Sequence, residues 1–283
     1  MFDYNNDGYL DIFVSSYTEG LIDLPQLLLS DYGNKNNKYR PRLFRNNGDG
    51  SFTDVSSATG LIEPVFTMGC NFGDLDNDGF IDIYLATGEP NLMSVVPNKM
   101  YRNVEGKMFQ DVTYSGGFGN IQKGHGVGFA DFDMDGDQDI YVVMGGALEG
   151  DVYQNILFEN PLGSKNNWCI VRLEGVKANR SAIGARLILE IEENGKARMI
   201  HRMISTGSSF GGNSLQEEIG LGKADRIRQL TVTWPYRESK SQTFTSLEVN
   251  AVYFLKEGEK IKKVTDKPIP FKKSEPEHHQ HAM

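Results

Sequence analysis

The chain has 283 residues, of which 39% are hydrophobic and 24% charged, with a formal net charge of −9. Length and composition describe a folded protein with room for about two domains. The acidic balance excludes a phosphate-rich partner and so nucleic-acid binding. No apolar run approaches the roughly 20 residues that a membrane-crossing helix needs; the longest candidate, 24–29, is interrupted by Pro25 and Gln26. Met1 to Asn5 have neither the basic start nor the apolar stretch of a signal peptide.

Three segments align without gaps, beginning at Asp3, Asp74 and Asp131. Each reads D-x-[DN]-x-D-G-x-x-D and runs into strand-forming residues: Ile12-Phe13-Val14, Ile83-Tyr84-Leu85 and Ile140-Tyr141-Val142. Oxygens at positions 1, 3 and 5 point alternate side chains at one centre, and the glycine at position 6 permits a sharp turn. The carbonyl at position 7 and the carboxylate at position 9 can complete a shell of about six to eight oxygens, the coordination calcium takes. The candidate ligands are Asp3, Asn5, Asp7, Tyr9 and Asp11; Asp74, Asp76, Asp78, Phe80 and Asp82; Asp131, Asp133, Asp135, Asp137 and Asp139. The expectation is about three Ca2+ ions, one per loop. Three such ions would bring the formal charge from −9 to −3. An EF-hand is excluded, because position 12 is Val14, Leu85 or Val142 rather than Glu and the flanks read as strands.

Between the loops lies a second repeated unit. Leu43 to Val55 and Met100 to Val112 each read strand, glycine-containing turn, strand, and a third copy starts at Ile156-Leu157-Phe158-Glu159-Asn160 and breaks off. Loop and hairpin together make four short strands, the content of a propeller blade. The spacing is uneven, 71 residues from Asp3 to Asp74 and 57 from Asp74 to Asp131, and the excess falls in an insertion at 16–40.

The C-terminal part also alternates in the β manner. Strands are expected at Arg186 to Ile191, at Arg198 to His201 after an Asn194-Gly195 hairpin turn, at Leu230 to Trp234 and at Ala251 to Leu255. Such spacing predicts a small sandwich or barrel. The reading is all-β: a partial propeller of about 2.5–3 four-stranded blades over residues 1–160, a β-sandwich over 161–263, and a polar tail at 264–283 with no fixed structure.

The first part resembles the FG-GAP or VCBS repeat, on the three acidic loops, on Gly73 and Gly128 before two of them, and on the two "Arg-Asn … Phe-x-Asp-Val" hairpins. Lys123-Gly124-His125-Gly126 and Gly145-Gly146-Ala147, around the third loop, are similar to the bacterial cartilage acidic protein-like family. Residues 165–258 resemble the ASPIC/UnbV domain, on Asn179-Arg180, Gly184-Ala185-Arg186, Gly207 to Gly211, Ile219 to Gly222 and Trp234-Pro235. The sequence departs from that pattern at Tyr236-Arg237, where the family has a small residue and Gly. The resemblance implies an exported protein, extracellular, periplasmic or at the cell surface, with a seven-bladed propeller. The chain is therefore expected to be N-terminally incomplete.

Other candidates read as structural. Cys70 and Cys169 read as small core residues, His125 and His201 as structural histidines, and Trp168 and Trp234 as sandwich core. The glycine run 207–212 lacks the features of a phosphate loop, and the histidines at 278, 279 and 281 belong to the tail. Without a nucleophile–base pair or zinc spacing, the expectation is a non-catalytic recognition or adhesion module for a protein or glycan. One alternative is a polysaccharide-active enzyme or accessory domain, for which Glu149 and Asp151 are candidate carboxylates. The other is a calcium-stabilised scaffold with no ligand of its own.

Overall fold

A computed structural model describes residues 1–16, 40–88, 96–146, 153–160, 165–207, 209–236, 238, 240–269 and 271. The expectations placed on most of the 16–40 insertion, on Glu149 and Asp151, and on the histidine tail lie outside the described residues. Among the described residues there are eighteen strands in five small sheets and no α-helix, an all-β fold with a propeller-like arrangement.

The first sheet joins β1 (Ile12–Val14), β2 (Arg42–Asn46) and β3 (Phe52–Asp54) in chain order. The second joins β4 (Thr67–Gly73), β5 (Asp82–Thr87), β6 (Lys99–Val104) and β7 (Met108–Asp111), again in chain order. In the third, β8 (Gly124–Ala130), β9 (Asp139–Met144) and β10 (Ile156–Phe158) pair in the same meander. All these pairs are antiparallel, which is blade topology. Each acidic loop is closed by the same pair of residues: Phe2 with Asp11, Gly73 with Asp82, Ala130 with Asp139.

Alternation along the second strand of each blade decides how the sheets stack. In β5, Ile83 and Leu85 enter a core shared with Phe2, Tyr4 and Leu43 of the first blade, while Tyr84 and Ala86 enter one shared with Val127, Phe129, Ile140 and Val142 of the third. All six residues of β5 are buried as a result. The matching positions of β9 are half covered: Ile140 and Val142 are buried, and Tyr141 and Val143 are exposed.

The remaining strands are β11 (Asn167–Glu174), β12 (Arg186–Glu193), β13 (Lys196–Met203), β14 (Glu217–Gly222), β15 (Arg226–Thr233), β16 (Ser241–Glu248), β17 (Ala251–Lys256) and β18 (Lys262–Val264). They form sheets β14-β11-β17-β18 and β13-β12-β15-β16. The two sheets share one core in which Val171, Ile219 and Leu255 meet Leu187, Leu189, Ile200 and Val232. The fully buried Trp234 closes it, its indole N–H donating to Gln242 Oε1 at 2.8 Å. Asn194 and Gly195, at φ 52° and 75°, make the left-handed two-residue turn expected between β12 and β13. Cys70 and Cys169 are both free, and Cys169 is fully buried in the sandwich.

A second device ties blade to blade. Asn46, Asn103 and Asn160 follow equivalent strand residues, and each donates its side-chain amide to the carbonyl of loop position 8, on Leu10, Ile81 and Gln138. Asn103 also reaches Tyr4 O at 2.8 Å, and Asn160 reaches Leu75 O at 2.6 Å, so each ties its blade to the loop of the blade before. Replacing Asn103 by Ala leaves two buried carbonyls without that donor and should cost about 2–3 kcal/mol; urea unfolding of N103A measures it, and a cost near zero would contradict this role.

Candidate metal centres

The three loops share one backbone. Position 6 is left-handed glycine in each, Gly8, Gly79 and Gly136 at φ 90°, 89° and 100°. Position 4 is left-handed as well, in Asn6, Asn77 and Met134 at φ 56°, 55° and 61°. Asparagine tolerates this conformation and methionine does not favour it. Position 4 also has a use: Asn6 Nδ2 donates to Gly79 O at 2.8 Å and Asn77 Nδ2 to Gly136 O at 3.1 Å, linking each loop to the next.

Position 1 holds the turn. Asp3, Asp74 and Asp131 accept the N–H of Gly8, Gly79 and Gly136 at 2.7, 3.0 and 3.0 Å. Position 9 clasps it, both oxygens taking a backbone N–H: Asp11 from Tyr4 and Asn46, Asp82 from Leu75 and Asn103, Asp139 from Phe132 and Asn160. Each of these oxygens keeps a second lone pair.

Positions 1, 3 and 5 converge. Asp74, Asp76 and Asp78 each offer an oxygen within 4.8 Å of the others, and so do Asp131, Asp133 and Asp135. These two acidic clusters can hold a metal ion. The first loop has Asn5 at position 3 and so brings two carboxylates, Asp3 and Asp7, to those three positions. Two oxygens mark where a cation fits: Asp74 Oδ1 and Asp133 Oδ1 are buried and have no hydrogen-bond partner. Asp74 is 1% exposed, and its other oxygen is fully engaged, accepting from Gly79 N, Gly220 N and Arg202. A buried carboxylate oxygen left bare is costly unless a cation meets it. The fit is to a hard, oxygen-seeking ion.

Burial, with mutual repulsion behind it, raises the proton affinity of several loop carboxylates. Asp11, Asp74 and Asp139 are pushed up to about 6, chiefly by burial. Asp78 and Asp131 reach about 7, burial again leading, with Asp74 beside the one and Glu218 beside the other. Asp137 reaches about 8 through burial and the like charges of Asp135 and Asp139.

The glycines that make the turns also form the seam with the sandwich. A Cβ on Gly8 would lie 3.3 Å from His201 Cε1, one on Gly79 2.6 Å from Arg198 Nη1, and one on Gly136 1.9 Å from Trp168 Cε2. Trp168 is therefore a seam residue, half-buried against the third loop rather than part of the sandwich core. His201 faces the first loop, its backbone N–H donating to Asn6 Oδ1 at 3.1 Å and its ring standing against Gly8. The reason is that β13 crosses the loops: Arg198 Nη1 donates to Asp78 O at 2.8 Å, and Arg202 reaches Asp74 Oδ2 at 3.3 Å and Gly79 O at 3.2 Å. Gln138 adds a buried link, accepting from Asp74 N and donating to Glu218 Oε2. His125 is half-buried in β8.

Comparison with known proteins agrees with this division. Residues 3–85 match the FG-GAP-like repeat family model, and residues 175–262 match the ASPIC and UnbV model. One match thus falls on the blades and the other on the sandwich. The chain is similar to cartilage acidic protein 1 of Xenopus tropicalis, 27% identical over 289 aligned positions covering 79% of this chain. The alignment takes in 43% of that protein, so the chain spans less than half the length of this relative.

Carboxylates whose folded pKa exceeds the unfolded value near 3.8 bind protons more tightly in the folded state. Their contribution is fully present below that unfolded value and is lost as pH rises through about 6 to 8. In chelator the melting temperature should therefore fall between about pH 5 and pH 8. A melting temperature that stays flat or rises over that window in chelator would contradict the clustering.

Proposed function

We propose that the chain is a calcium-stabilised, non-catalytic recognition module that acts outside the cell on a protein or glycan partner. The observation that carries the calcium reading is the bare, buried Asp74 Oδ1 within a cluster of three carboxylates, with the same cluster repeated at Asp131, Asp133 and Asp135. FG-GAP repeats commonly bind Ca2+, and the acidic clusters have the oxygen donors such an ion takes. The ligands at positions 1, 3 and 5 would be joined by the position 7 carbonyls of Tyr9, Phe80 and Asp137 and by the position 9 carboxylates. Bound calcium supplies the positive charge that clustered carboxylates need; the chain's own residues fix the turn and dock the sandwich on it.

The extracellular setting rests on the FG-GAP-like match and on the similarity to cartilage acidic protein 1. No helix among the described residues is long and apolar enough to cross a membrane. A recognition role gains support from the side chains that the loops present. Phe132, at position 2 of the third loop, is 43% exposed and meets the exposed ring of Tyr141 edge-on, centroids 6.4 Å apart. Exposed aromatic pairs beside a rigid turn suit protein and glycan ligands.

Because the ions would bind the folded loops, millimolar calcium should raise the melting temperature over that in chelator. Coincident melts in the two conditions would defeat the calcium reading. Glycan arrays and pull-downs with calcium present test recognition: a ligand should be captured by the wild type and lost when Phe132 and Tyr141 are both changed to Ala. Capture that the double variant leaves intact would place the ligand surface elsewhere.

A further inference from the structure

The asparagines that tie the blades also fix their neighbours. Asn46, Asn103 and Asn160 donate their backbone N–H to Asp11, Asp82 and Asp139 at 2.8, 2.7 and 2.9 Å. The residue before each asparagine therefore stands at one repeated post beside its loop. Those residues are Arg45, Arg102 and Glu159.

The post carries opposite charge at the two all-carboxylate loops. At the second, Arg102 Nε lies 2.5 Å from Asp76 Oδ2 and its Nη2 lies 3.5 Å from Asp78 Oδ2. A guanidinium thus occupies two of the three carboxylates that converge there. At the third, Glu159 adds a like charge near Asp133, and position 7 is Asp137 where the second loop has Phe80. The converging carboxylates are otherwise the same, positions 1, 3, 5 and 9 being Asp in both loops.

We infer that the residue at this post sets the order in which the loops take up a divalent cation, the third filling before the second. Arg102 is a built-in counter-ion: it must leave Asp76 and Asp78 before both can turn to a metal. Its side chain is 43% exposed, so solvent can receive the displaced guanidinium. Glu159 and Asp137 act in the opposite sense, deepening the negative potential at the third loop. The inference rests on the calcium reading and goes beyond it, since the loop motif alone would make the two sites alike.

Calorimetric calcium titration of the intact chain tests it with four proteins: wild type, R102Q, R102K and E159Q. The wild type should show a tight and a weaker class of sites. R102Q should tighten the weaker class about tenfold and leave the tight class in place. R102K keeps the charge and should stay within about threefold of wild type, and E159Q should weaken the tight class by about three- to tenfold. Trp168 lies against the third loop, so terbium emission excited through tryptophan should rise with the tight class. The inference is overturned if R102Q leaves the weaker class unchanged, if R102K tightens it as R102Q does, or if tryptophan-sensitised emission follows the weaker class. A wild type with no calcium heat fails the calcium reading itself, a result distinct from sites that bind equally in all four proteins. Melts of each variant in chelator confirm that all are folded.

Discussion

Carboxylates brought within 4.8 Å of one another in half-buried turns repel, and the chain answers that repulsion with donors fixed in place. Backbone amides supply most of them: every position 1 and every position 9 aspartate accepts N–H groups from its own loop or from the adjoining hairpin. Arginines supply the rest, Arg102 from the blade and Arg202 from the sandwich. Sheet stacking and domain docking both follow from where these donors must stand. Strand β5 is buried on both faces because its blade stands between the other two and shares a core with each.

The seam shows how one residue type answers two demands. A position 6 glycine is required by the left-handed turn, and its missing side chain also lets His201, Arg198 and Trp168 of the sandwich approach the loops. Substitution at Gly136 would therefore act twice, straining the turn at φ 100° and driving a methyl into the indole. The sandwich is built onto the loops, and its contacts with Asp74 leave only one oxygen of that carboxylate for an ion.

Much of this is legible in the sequence. The nine-residue spacing, the two complete hairpins and the Asn194-Gly195 turn are local signals, and they mark strands where strands stand. Less legible was whatever depends on partners remote in sequence. Trp168 reads as sandwich core because its neighbours alternate like a buried strand, but the third loop claims its ring. His201 reads as structural, and the residues it meets, Asn6 and Gly8, lie in the first loop. The outer strands β16 and β18 are rich in polar residues, so periodicity alone does not draw them out. Position 4 carries a usable clue, asparagine in two loops of three, which the glycine two residues on overshadows.

The two sets of asparagine contacts run in opposite senses along the stack. Asn103 and Asn160 reach back to the preceding turn, while Asn6 and Asn77 reach forward to the following one. Register between neighbours is thereby written near the acidic turns, and further links stand along the strands, Thr67 N–H donating to Ser16 O at 2.9 Å and Asn71 Nδ2 to Val127 O at 2.8 Å. The connection from β1 to β2 is far longer than that from β5 to β6, yet Asn46 meets Asp11 as Asn103 meets Asp82. Evolution can therefore lengthen or exchange the distal connections freely, diversifying what a blade displays while the spine that aligns the blades keeps its geometry.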